Sequence, residues 1–83
     1  MAEDTAARVK KVTAALLRIE ESGIQESSRF VEDLGAASIQ SIELVAAFEE
    51  EFDIEMDEDE ALAVKTVGDA VTFIAKTVDE QHG

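Results

Sequence analysis

Val9, Val12, Leu16 and Ile19 recur at steps of three, four and three, which lines up apolar side chains along one face of an α-helix and suits no β-strand. Asp4 offers an N-cap and Gly23 a C′ residue, so a first helix is predicted over 5–22. Periodicity then fails from Gly23 to Gly35. That stretch reads as a long loop tethered by Ile24, Phe30, Val31 and Leu34, and loops of this length are uncommon and often functional. A second helix is predicted over 38–52, a short third over 59–64, and a fourth from a cap at Thr66 to about residue 79. The fourth helix would turn Val67, Ala70, Val71, Ile74 and Val78 inward with Phe73 at the margin, while residues 80–83 fray. The sum is an all-α fold, a four-helix bundle with a long first loop and a short third helix.

The second helix carries more apolar residues than one stripe needs. Counting about 100° per residue from Leu44, the residues Leu44, Val45, Phe48 and Phe52 share one arc of about 100°, the natural core face. Ile39, Ile42 and Ala46 cluster on the opposite side of the helix, flanked by Glu49 on one edge and Glu50 on the other. A helix buried on both faces would show this pattern. So would an exposed apolar strip rimmed by carboxylates, which fits a docking surface for an apolar, basic partner.

Charge supports the second possibility. Of 20 acidic residues, 12 lie between Phe30 and Val64 with no base among them, and the whole chain of 83 residues has a formal charge of −13. Such a surface repels phosphate backbones and anionic lipid, so no nucleic acid is expected as partner. Basic protein surfaces are. The length allows one domain, 1–83, with an ordered core over about 5–79. The chain has no Cys, no basic leader before an apolar run, and no run of about 18 apolar residues. A monomeric cytoplasmic protein without a membrane span, disulfide or Cys-type zinc site is the expectation.

No catalytic constellation is visible. The one histidine, His82, stands next to the chain end and reads as a solvated tail residue, and no glycines stand two before and two after Ser38. Asp53, Glu55 and Asp57 match the first positions of a calcium loop, but Glu58 replaces the turn glycine and Val64 the bidentate acid. No dedicated metal site is predicted.

Ser38 remains, at the point where the long loop becomes the second helix. The run Phe-Val-Glu-Asp-Leu-Gly at 30–35, Ile-Glu-Leu-Val at 42–45, Phe-Glu-Glu-Glu-Phe-Asp-Ile-Glu at 48–55 and Lys-Thr-Val-Gly-Asp-Ala at 65–70 resembles the acyl carrier protein family. The likeness spans Phe30 to Ile74. It implies that Ser38 carries 4′-phosphopantetheine, attached covalently from coenzyme A by a phosphopantetheinyl transferase, with acyl groups held on its thiol. It further implies no catalysis by the chain itself, an acyl-chain pocket lined by Leu44, Val45, Phe48, Met56, Leu62, Val64, Val71 and Ile74, and a docking face of Ile39, Ile42, Glu43, Ala46, Glu49 and Glu50. That face would meet basic patches on acyl-loading, condensing or acyltransferase enzymes of fatty-acid or specialised lipid, polyketide or lipopeptide assembly.

Physical chemistry allows the attachment, because a phosphodiester on Ser38 would lie at a helix N-terminus where free N–H groups and the dipole favour an anion. A serine there can equally serve as a plain N-cap. Ala37 and Ile39 stand where the family usually has Asp and Leu, and Gln40 where an acid is common, which implies a specialised carrier rather than the central fatty-acid one. Peptidyl or aminoacyl carriers share the serine arm but usually have a less acidic second helix. An unmodified acidic adaptor or DNA mimic would use the same helix face for binding alone.

Overall fold

The computed structural model describes residues 2–83, with side chains from Thr5 onward, and contains α1 (Ala2–Leu17), a 3-10 helix (Glu21–Gly23), α2 (Ser38–Phe52), α3 (Glu58–Ala63) and α4 (Val67–His82). Helix α1 starts at Ala2 rather than Thr5, so Asp4, expected as its cap, lies inside the helix; its side chain is outside the described ones. Among the described residues no strand occurs, only an isolated antiparallel bridge between Arg29 and Thr66. The all-α, four-helix expectation therefore holds.

The first helix ends sooner than its apolar pattern does. Arg18 takes a left-handed φ of 58°, and the Ile19 N–H reaches back to the Ala14 carbonyl at 3.1 Å, the closing bond of a Schellman turn. Gly23, expected to stop this helix, instead ends the separate 3-10 helix. An arginine in the left-handed region is an uncommon stop, which is why the sequence points past it.

Helix α1 packs against both α2 and α4, and α3 packs against α2, while α2 and α4 barely meet. Val9, Ile74 and Val67 are fully buried at the centre, with Leu44, Phe48, Phe52, Ile24 and Phe30 around them. Each such side chain contributes about 1.5–3 kcal/mol on burial. Two buried hydroxyls sit among them without loss, since Thr13 Oγ1 donates to the Val9 carbonyl and Thr77 Oγ1 to the Phe73 carbonyl, both at 2.8 Å. Arg8 clips α1 to the end of α2: its Nε meets a Glu51 carboxylate oxygen at 2.8 Å, its Nη2 donates to the Glu51 carbonyl at 2.6 Å, and its guanidinium lies 4.4 Å over the Phe52 ring.

The long loop is stitched to the start of α4. Phe30 N–H donates to the Lys65 carbonyl at 3.0 Å, Val67 N–H to Ser28 at 2.9 Å and Gly68 N–H to Glu26 at 2.8 Å. A Cβ on Gly68 would meet the Glu26 carbonyl at 3.0 Å, so any larger residue would press the loop back by a few tenths of an ångström. Residues 29–34 make one helical turn through bonds from the Asp33 and Leu34 N–H groups to the Arg29 carbonyl. Phe30 and Leu34, four apart, share its inner side. Val31, expected as a tether, is rotated outward and 57% exposed.

The chain end also departs from expectation. Helix α4 runs to His82 rather than 79, and Gln81 and His82 bond to the connection between α2 and α3.

Candidate functional site

At the loop's end Gly35 adopts a φ of 77°, a left-handed value that glycine tolerates freely. The turn lets Ala36 tuck into the core with its N–H on the Phe30 carbonyl at 2.9 Å. Ala37, in extended geometry, is the N-cap of α2, and Ser38 is the first helical residue. Gln40 Oε1 accepts from the Ala37 N–H at 2.9 Å, but the Ala37 methyl has no oxygen with which to return the bond. Among the described residues no side chain caps the N–H groups of Ser38, Ile39 and Gln40, and Ser38 Oγ makes no hydrogen bond. The helix thus starts one residue earlier than a serine cap would require. Ser38 is exposed, with an uncommitted hydroxyl beside uncapped donors at the positive end of a helix dipole.

Beside this end, the gap left between α2 and α4 forms a cavity of ≈ 290 Å³. Leu44, Val45, Phe48, Met56, Leu62 and Val64 line it as expected, whereas Val71 and Ile74 do not. Ile74 points into the fully buried centre, and Val71 packs against the core on the other flank of α4. Ala70 and Phe73 take their places. Phe73 lies about 200° around the helix from Val71, so the two cannot serve one wall. Phe30, Val31 and Ala61 complete the apolar lining, and Arg29, Glu32, Ser41 and Lys65 supply its polar part.

The Arg29 guanidinium is held by Asp33 at 3.1 Å and Glu32 at 2.7 Å. Its hydrogen bonds, from the side chain first and the backbone N–H second, keep the Asp33 carboxyl below its ordinary range. The same side-chain hydrogen bond and charge raise Arg29.

On the outer face of α2, Ile39 is 62% and Ile42 46% exposed, and Glu43, Ala46 and Glu50 are exposed beside them. The helix is therefore not buried on both sides. Glu49 is an exception. It is half-buried and its carboxylate accepts the Met56 N–H at 2.8 Å, so it also braces the fold. His82, expected as a free tail, has Nε2 2.6 Å from the Asp53 carbonyl. Among the described residues no three histidines or acids converge as a metal site; Asp57, in the calcium-like run, accepts the Glu60 N–H as cap of α3. No described helix is long and apolar enough to cross a membrane.

A family profile described as "phosphopantetheine attachment site" matches residues 7–74. A solved structure described as a putative acyl carrier protein from Mycobacterium tuberculosis matches with a TM-score of 0.80 and 32% identity, over 87% of this chain and 96% of that one. The chain belongs to the acyl carrier protein family. As a carrier it is not a catalyst but a bearer of phosphopantetheine, served by phosphopantetheinyl transferase and biosynthetic enzymes. The residues present fit that group, because α2 offers the carrier a free hydroxyl, open N–H donors and a neighbouring apolar cavity. The group supplies a thiol to a chain that has none of its own.

Proposed function

We propose that Ser38 is the residue that bears 4′-phosphopantetheine, and that residues 1–83 act as one cytoplasmic carrier domain for acyl thioesters in fatty-acid or specialised lipid, polyketide or lipopeptide assembly. The observation that carries the assignment is the Ser38 hydroxyl, exposed and unbonded at the first position of α2 beside uncapped N–H groups. A capping serine would have its oxygen committed. The uncapped donors suit a phosphodiester, and the ≈ 290 Å³ apolar cavity suits the alkyl part of a cargo.

In this reading the carrier's own residues bind and shelter. Leu44, Val45, Phe48, Met56, Leu62, Val64, Ala70 and Phe73 exclude water from the cargo. Ile39, Ile42 and Ala46 give apolar contact to each partner enzyme, while Glu43 and Glu50 steer its basic patch; Glu49 contributes charge to the same rim from a fixed position. Tethering raises the local concentration of the acyl group at each enzyme to about the millimolar range.

The test is intact mass after incubation with coenzyme A, Mg²⁺ and a broad-specificity transferase. The expected gain is one phosphopantetheine, mapped to Ser38 and absent in Ser38→Ala. An unmodified wild-type protein, or a modified Ser38→Ala, would refute the assignment.

A further inference from the structure

Gln81 stands where a solvated chain end is expected, yet its side-chain amide makes two hydrogen bonds to one residue of the connection between α2 and α3. Nε2 donates to the Glu55 carbonyl at 2.7 Å, and Oε1 accepts from the Glu55 N–H at 2.9 Å. This copies the exchange that a neighbouring strand would make with that residue. Beside it, His82 Nε2 lies 2.6 Å from the Asp53 carbonyl; a carbonyl only accepts, so this nitrogen carries the proton.

Met56 is the one residue of segment 53–57 that lines the cavity. The Glu49 carboxylate holds its N–H at 2.8 Å, and Ile54, buried, is held by the Glu49 carbonyl at 3.1 Å. One side of the Met56 wall is thus fixed from α2 and the other from the last turn of α4. Because α2 and α4 barely meet, the Gln81 bonds tie the segment to α4 beyond the end of the cavity, about two turns past Phe73, the last α4 residue that lines it.

We propose that Gln81, assisted by His82, is a positioning residue for the cargo cavity: it holds segment 53–57 against the bundle and so sets how long an acyl thioester in the cavity is sheltered from water. The proposal rests on the reading of that cavity as the acyl site. Gln81 is exposed, so removing its side chain leaves no hole in the core. Loss of two hydrogen bonds raises the open population of the segment on the order of tenfold, a local opening rather than unfolding.

Two measurements on the full chain test it. In the unloaded protein, Gln81→Ala should speed amide exchange at Glu55 and Met56 on the order of tenfold while leaving Leu44 and Ile74 unchanged, and Gln81→Glu, which keeps the acceptor but loses the donor, should fall between. In carriers loaded with octanoyl or acetyl groups, hydrolysis to free acid and thiol is timed at fixed pH. The wild type should protect octanoyl over acetyl, and Gln81→Ala should erase most of that advantage without altering the acetyl rate. Equal rates for both groups on the wild type would sink the acyl-site reading and this proposal with it. A wild type that discriminates and a Gln81→Ala variant that discriminates as well would overturn the positioning role alone.

Discussion

The ring of Phe30 leans on that of Phe48, with centroids 6.5 Å apart and planes tilted by 57°. This single contact joins the long loop to α2 at the cavity wall, since both residues line it. The loop hangs from it, from the buried side chain of Ile24 and the half-buried one of Leu34, and from its backbone bonds to the start of α4.

Phe30→Leu should therefore lower stability by about 1–1.5 kcal/mol, through lost ring contact and incomplete filling of the site. Chemical denaturation should show a lower midpoint at unchanged slope. A midpoint equal to wild type would mean that the Phe30 ring adds nothing to what Ile24, Leu34 and the backbone bonds already hold.

Much of this was legible from spacing. The second helix starts and ends where the sequence places it, because Ser38 to Phe52 is bounded by a glycine turn on one side and by Asp53, at a left-handed φ of 54°, on the other. Of the six expected residues that line the cavity, Leu44, Val45 and Phe48 follow from the phase of α2, whereas Met56, Leu62 and Val64 rest on the family resemblance. Where two answers share a pattern, the sequence is silent. Val71 belongs to the apolar stripe of α4 and Phe73 to its margin, and only the splay of α2 from α4 decides that Phe73 faces the cavity. The Schellman turn at Arg18 and the Gln81 bonds to Glu55 are tertiary choices without a local signal, since arginine is no usual left-handed residue and glutamine at a chain end is usually solvated.

Asp33 gives a pH dependence with a definite sign. Its folded-state carboxyl is held below the ordinary value of 3.8 by hydrogen bonds from Arg29. Stability from this source is present above the unfolded value and is lost as pH falls through the lower folded one. The difference in denaturation midpoint between wild type and Asp33→Asn should accordingly be constant near neutrality and vanish as the pH falls below 3.8 and through the lower folded-state value. The comparison has to be between these two proteins. Protonating the other acids relieves self-repulsion at the same time and changes absolute stability in the opposite direction.

The docking face can be tested without disturbing the fold, provided Glu49 is left alone. Glu43 and Glu50 are exposed, with no hydrogen bond or ion pair among the described residues, so reversing both to Lys should leave the melting temperature nearly unchanged. Modification by a phosphopantetheinyl transferase at low salt should slow by about tenfold, with the gap closing as salt shortens the Debye length. Glu49→Lys should behave differently, losing stability because the Met56 N–H loses its acceptor. Identical behaviour of Glu49→Lys and Glu50→Lys would contradict the division of roles.

The empty cap at residue 37 leads to the most specific expectation. Ala37 already has the extended backbone of an N-cap, with φ −77° and ψ 164°, so Asp or Ser can be placed there without rearrangement. Either side chain would accept from the Ile39 or Gln40 N–H, worth about 1 kcal/mol, which for a chain of this size is a rise of about 4–8 °C in melting temperature. Asp should exceed Ser, because its charge also meets the positive end of the α2 dipole, although the surrounding negative charge of the protein offsets part of that gain. Those same N–H groups are the ones a phosphodiester on Ser38 would use. The stabilisation should therefore be full in the unmodified protein and smaller once phosphopantetheine is attached, as read by thermal denaturation of both forms of wild type, Ala37→Ser and Ala37→Asp. An equal gain in both forms would show that the phosphate does not sit on the open end of α2.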